Sequence, residues 1–311
     1  MSAEPASTIS YGKARVPFYR VYARPLAGLA AIPESAFTGR PNILLAGEVD
    51  IEVLGDNFLP AYTHGDNAQV VATDSMKNFV FQRALDYDGA TLEGLLDHLG
   101  RALLATYAQM QRLRLTAREW PFAAASVPAV DGAFGASDTV FRREHGDHSV
   151  ALLEFDRAAD GAATLTGHRC GRDALQLLKV TGSAFTAFVR DAYTTLPERR
   201  DRPLYITMDI AWQYADPADA LGADPARYVA AEQVRDLAQV VFHEFVSESI
   251  QHLVHEMGQR ILARYPQLAS VSFAAQNHTP DPMAVAPDGG RVKVYSAAFP
   301  AYGLITLTLA R

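Results

Sequence analysis

Residues 91–110 read TLEGLLDHLGRALLATYAQM, and residues 112–120 follow almost at once as RLRLTAREW. In the first stretch Leu92, Leu95, Leu96, Leu99, Leu103, Tyr107 and Met110 return mostly at three- and four-residue steps, one apolar stripe of a long helix. In the second, Leu113 and Leu115 alternate with Arg112 and Arg114, the period of a half-buried strand. A striped helix running straight into an alternating strand can bury both apolar faces by packing one on the other. That pairing predicts an α+β fold.

The same order recurs downstream. Val234, Leu237, Val241, Phe245, Leu253, Met257 and Ile261 predict a second long helix, and a strand over 268–275 follows it. Further strands are expected at 15–24, where Pro17 suggests an edge or a strand start, and at 43–54, 149–155, 163–169, 174–180, 204–214, 292–295 and 304–309. The chain therefore reads as two similar α+β halves, 1–145 and 146–311. Each would be an antiparallel sheet with long helices on one face. Polar residues at 142–148 mark the expected boundary. Residues 216–225 (DPADALGADP) read as a loop or short turn.

At 311 residues, 49% hydrophobic and 20% charged, the chain can bury a substantial core, which excludes wholesale disorder. With 28 Lys and Arg against 35 Asp and Glu, the net charge of −7 argues against nucleic acid as a partner, because phosphate neutralisation needs a basic surplus. The apolar stretch 26–32 is far shorter than the about 20 residues a bilayer requires, so no membrane role is expected. Residues 1–10 are polar, unlike a signal peptide, and Leu309-Ala310-Arg311 is not the peroxisomal Ser-Lys-Leu. A cytoplasmic location is the expectation. The single Cys170 cannot form an internal disulfide and reads as an incidental or buried thiol rather than a nucleophile.

The histidines invite a metal reading. His243, Glu244, Glu248, His252 and His255 fall on the second helical run, and Glu248 to His252 is an i, i+4 step. The spacing is not the His-Glu-x-x-His of zinc hydrolases, and no cysteine cluster completes a soft site, so this reads as a solvated helix face. His145 and His148 with Asp147, in a polar loop, take the same discount. No metal site is expected.

A different set of segments is rich in polar anchors. Tyr11-Gly12-Lys13 precedes the first expected strand, and residues 66–78 (DNAQVVATDSMKN) lead to a helix cap expected at 73–75. Residues 181–198 (TGSAFTAFVRDAYTTLPE) are followed by Asp201-Arg202. Ser249-Ile250-Gln251 lies on the second helical run, and Gln276-Asn277-His278 ends the strand after it. Singly, each has a plain alternative: Lys13 a surface charge, Phe185 a core aromatic, Thr73 a cap.

Jointly and in this order, these residues resemble urate oxidase (uricase), from Tyr11 to Asn277 and over nearly the whole chain. The resemblance implies a tunnelling fold of two tandem halves. It also implies assembly into a homotetramer with active sites at subunit interfaces, and an enzyme that needs no cofactor. Urate is a flat, electron-rich anion, so its receptor needs a stacking face, a planar cation and an amide. By the resemblance, Phe185 stacks on it, Arg202 forks onto one edge, Gln251 pairs the opposite edge, and Ile250 offers a backbone group. Thr73 and Asp74 reach the ligand from the adjacent subunit. Lys13 and Thr73 form the catalytic pair. An amine serves as base near neutral pH only where its pKa drops from about 10.4. Lys13 would then draw a proton through the Thr73 hydroxyl, and the urate dianion would pass an electron to dioxygen held by Thr73 and Asn277. The family pattern Pro-Asn-x-His meets Gln276-Asn277-His278-Thr279 here, which leaves the third catalytic position to His278 or, one residue on, to Thr279. Two other readings remain at this point: a tunnelling-fold pterin or purine enzyme using zinc, and a non-catalytic purine-binding protein.

Overall fold

The structure, a computed structural model, describes residues 9–144, 146–287, 292–298 and 300–311. Two compact units emerge: one comprises described residues of 9–30, 38–170 and 216–228, the other those of 31–37, 171–215 and 229–311. The division falls inside one strand, between Cys170 and Gly171, downstream of the polar stretch expected to mark it. Residues 1–8, the body of the polar N-terminal stretch, lie outside the described residues. No helix among the described residues is long and apolar enough to cross a membrane.

The first unit carries β1 (Ser10–Val21), β2 (Leu44–Leu54), α1 (Leu59–Thr63), α2 (Thr73–Asp86), α3 (Leu92–Thr106), β3 (Arg112–Glu119), β4 (Phe122–Pro128), β5 (Phe134–Arg143), β6 (His148–Arg157) and the first part of β7 (Ala163–Lys179). The short α4 (Pro217–Ala220) belongs to it too, so the expected turn at 216–225 contains one helical turn, capped by Asp216. The strand order is β1-β2-β3-β6-β7, and β1 through β6 pair antiparallel. Alternation decides the faces. Val49, Ile51 and Val53 on β2, Leu113, Leu115 and Ala117 on β3, and Ala151, Leu153 and Phe155 on β6 are buried; α2 packs on β1, and α3 on β3 and β6. The opposite face is a charge ladder. In-register Arg114 bonds Glu154 at 2.8 Å and Glu52 at 3.1 Å, and Arg118 bonds Asp50 at 2.8 Å.

In the second unit the order is β7, β8 (Leu204–Tyr214), β9 (Leu268–His278), β12 (Gly303–Ala310), with β10 (Pro282–Val285) and β11 (Lys293–Tyr295) a separate ribbon. β8, β9 and β12 pair antiparallel. The helix α6 (Ile250–Arg264) covers β9 and β12, with α5 (Ala231–Glu244) packed beside it.

Four expectations change. The single run over 234–261 is two helices: Phe245 turns extended, Ser247 leaves to bridge Ser183, and Ser249 restarts the helix by accepting the His252 N–H at 3.1 Å. The strands expected at 163–169 and 174–180 are one strand, kinked where Ala174 adopts φ 60° and gives its N–H to Asp209 at 2.8 Å. Lys13 lies within β1 rather than before it. Thr73 is the first helical residue of α2, not its cap, which is Ala72. The hairpin β4–β5 had no clear period in the sequence.

Local devices recur in both units. Arg15, at φ 56°, gives its N–H to Asp50 as Ala174 does to Asp209. Leu26 and Arg40 exchange two backbone hydrogen bonds, as do Phe185 and Arg199. Thr91 caps α3 as Ser249 caps α6. Arg157 donates to the carbonyls of Leu104, Tyr107 and Met110, and Arg311 to those of Leu262, Tyr265 and Leu268, each closing the C-terminal end of a helix.

Candidate active site

The residues singled out from the sequence form two groups, one in each unit. In the first unit, β1 carries Lys13 beside an irregularity between Lys13 and Val16 that the left-handed Arg15 creates. Tyr11, two residues before Lys13, accepts the Val71 N–H at 3.0 Å and packs edge-on against Phe58. This ties β1 to the segment that enters α2, the helix beginning Thr73-Asp74. The Asp74 carboxylate is exposed and held by Lys77 Nζ at 2.6 Å and Asn78 at 3.0 Å. Its pKa is drawn down, first by Lys77, and the charge of Lys13 adds to the effect. Lys13 and Thr73 are half-buried; neither side chain has a hydrogen-bond or ion-pair partner among the described residues.

The second unit builds a side-chain cluster around Arg202. This residue enters just before β8, its N–H bound to the Ser183 carbonyl at 2.9 Å. Its side chain is only 7% exposed. Nη1 donates to the Thr279 hydroxyl at 3.4 Å, and that hydroxyl donates to Asn277 Oδ1 at 3.3 Å. The buried Nε–H has no partner among the described residues. Burial, with the charge of Arg199 nearby, pulls the guanidinium below its usual pKa. The Arg202 Cζ lies 5.4 Å from the centre of the Phe185 ring, and Phe185 is pinned by its paired backbone bonds to Arg199. Ser183 and Ser247, both buried, join this loop to the entry of α6: the Ala184 N–H reaches the Ser247 carbonyl at 2.8 Å. Ile250 is buried at the first turn of α6, and Gln251 beside it is exposed, its amide without a hydrogen-bond partner among the described residues.

Asn277 and His278 part company, because neighbours on a strand face opposite ways. Asn277 and Thr279 share the Arg202 side. The His278 ring instead lies between Tyr205 at 5.2 Å and Tyr302 at 5.5 Å, on the wall of a cavity of about 1060 Å³ that Tyr295 and Lys293 also line. The structure thus joins Arg202, Phe185, Asn277 and Thr279, and leaves His278 outside that group. Phe188 is the contact that sequence reasoning missed. Its ring stacks on Phe185 at 4.8 Å and 10°; a Phe-x-x-Phe spacing was the only signal for it.

Cys170 is fully buried beside Glu93, and burial pushes its thiol far from the thiolate a nucleophile needs. His243 and Glu244 end α5, while His252 and His255 lie on α6; Glu244 pairs with Arg260 at 2.9 Å. No three His, Cys, Asp or Glu residues converge on a common point among the described residues. His145 lies outside the described residues.

The class this site defines is an α+β protein of antiparallel sheets that holds an aromatic ring beside a buried guanidinium whose Nε–H has no partner among the described residues. Comparison with known proteins gives the class a family. The uricase family profile matches residues 168–306. The chain is 52% identical over 272 residues to the uricase of Haloferax volcanii, covering 87% of this chain and 88% of that one. It is 46% identical over 305 residues to the bifunctional uric acid degradation protein PucL of Bacillus subtilis, covering 98% of this chain and 61% of that protein. The crystal structure of urate oxidase from Bacillus sp. TB-90 superposes with a TM-score of 0.94 at 42% identity, over 97% of this chain and all of that one. The chain belongs to the uricase family, and its α+β architecture is that of the urate oxidases.

Proposed function

We propose that the protein oxidises urate with dioxygen and water to 5-hydroxyisourate and hydrogen peroxide, a step of purine degradation, in the cytoplasm and without a metal or organic cofactor. The observation that carries this reading is Arg202. A guanidinium buried this deeply with an open Nε–H is costly unless a ligand completes it. Beside it the Phe185 ring offers a face to a planar ring, so the natural occupant is a flat anion with carbonyl and ring-nitrogen edges.

In this reading Arg202 holds one edge of urate by paired N–H donors, and the Gln251 amide reads the opposite edge. The Ile250 backbone contributes beside it. Lys13, acting through the Thr73 hydroxyl, removes a proton to leave the dianion. That dianion gives one electron and then a second to dioxygen, which leaves as hydrogen peroxide with two protons. Water adds at the oxidised carbon and balances the product. Asn277 with Thr73 positions dioxygen and then water above the ring. Thr73 and Asp74 serve a site whose Phe185, Arg202 and Gln251 come from another subunit, in a homotetramer.

Incubating the purified protein with urate under air and a chelator tests this. Loss of urate absorbance with equimolar peroxide is the expected result. Tight urate binding with unchanged absorbance would make it a purine-binding protein. Stoichiometric zinc together with inhibition by the chelator would make it a zinc enzyme.

A further inference from the structure

The Phe185 ring does not stand alone. Phe188 lies parallel to it at 4.8 Å and 10°, and the Arg190 guanidinium sits 5.6 Å from the Phe188 ring centre. The Arg202 Cζ lies 5.4 Å from the Phe185 ring centre. A parallel ring at that spacing covers one face of Phe185, which leaves the opposite face for a ligand.

The loop is built to hold this stack. Only two residues, Thr186 and Ala187, separate Phe185 from Phe188 along the chain, too few for an extended segment to bring one ring back over the other. Ala187 makes the reversal with φ 56°, a left-handed conformation that is strained for a residue with a Cβ. Its N–H is held by Glu198 Oε1 at 3.0 Å, one step inside the Phe185–Arg199 bridge that closes the loop. Strain kept in place by a dedicated carboxylate marks a position whose geometry matters.

We infer that Phe188, folded back by the Ala187 turn, is a positioning residue. It fixes the plane of Phe185 so that the opposite face meets a flat substrate at the height where Arg202 reaches its edge. The inference rests on the reading of Phe185 as the urate platform.

The test compares Phe188→Leu, Phe188→Met and Phe188→Tyr with the wild type in steady-state urate oxidation, and measures binding of a non-reactive purine. Loss of an aromatic pair predicts a KM about five- to tenfold higher and comparably weaker purine binding for Leu, with kcat within about twofold. Tyr should restore wild-type KM. Met covers the case in which the Leu variant does not fold, and should behave as Leu does. Ala187→Gly, which adopts the left-handed turn freely, should keep KM within about twofold. An unchanged KM in both Leu and Met variants, or failure of Tyr to restore it, overturns the positioning role. A wild-type protein that does not consume urate overturns the platform reading instead.

Discussion

Arg202 and Thr279 are joined by a 3.4 Å hydrogen bond from Nη1 to the hydroxyl, and the threonine passes the contact on to Asn277. The residue two positions after Asn277 therefore shares the guanidinium's side, while His278 sits among tyrosines. In the proposed site Thr279 holds the place that the family pattern gives to a histidine.

Arg202→Lys should damage binding. Lysine keeps the charge and loses the planar two-donor fork. KM for urate should rise roughly tenfold or more, at least about 1.4 kcal/mol of lost interaction. A KM within twofold of wild type in steady-state assays would show that Arg202 does not clamp the substrate.

Lys13→Met should leave binding of a non-reactive purine nearly intact and lower kcat. Removing a general base costs about 10²–10⁴-fold in rate. Retention of more than half the wild-type turnover would remove Lys13 from the chemistry.

If each site draws Thr73 from one subunit and Arg202 from another, two dead variants can repair one another. Mixing Thr73→Ala with Arg202→Ala protein under conditions of subunit exchange should restore partial activity, since some interfaces then carry neither substitution. Absence of recovery, once exchange is confirmed by labelled subunits, would refute the shared site and leave the oxidase reading untouched.

Glu93 gives a stability prediction in the first unit. Its carboxylate is fully buried and accepts the Tyr228 hydroxyl at 3.0 Å, and burial raises its pKa from 4.5 to about 7. Between those values the folded protein holds a proton that the unfolded chain has released. The contribution is therefore most favourable below pH 4.5 and is lost as pH rises through about 7, a change on the order of 3 kcal/mol. Glu93→Gln keeps an acceptor for Tyr228 and does not titrate. Its Tm should gain on the wild type by several degrees between about pH 5 and about pH 8. Parallel Tm profiles for the two proteins would show that Glu93 does not titrate in this range.

Much of the fold was legible in the sequence because periodicity is local. Val49, Ile51 and Val53 against Glu48, Asp50 and Glu52 announce a one-sided sheet, and the leucine stripe from Leu92 announces the helix over it. The α2 helix was harder to see, since its buried stripe is only Met76, Val80 and Ala84. The anchors Lys13, Thr73, Phe185, Arg202, Gln251 and Asn277 were legible as residues, by order and resemblance. What they touch was not. The break at 245–249 depends on Ser247 bonding a loop more than sixty residues earlier in the chain. The Phe188 stack depends on a left-handed Ala187 held by Glu198. Thr279 meets Arg202 just past the paired ends of β8 and β9, where Tyr205 stands opposite His278. The devices shared by the two units carry unlike residues, Arg15 against Ala174 and Leu26 against Phe185, since a backbone hydrogen bond does not depend on its side chain. A side-chain period depends on neighbours a few positions away, and the sequence displays it directly. A hydrogen bond or ring contact between distant segments exists only when register, turns and burial bring them to within a few ångströms, and that is a property of the folded chain.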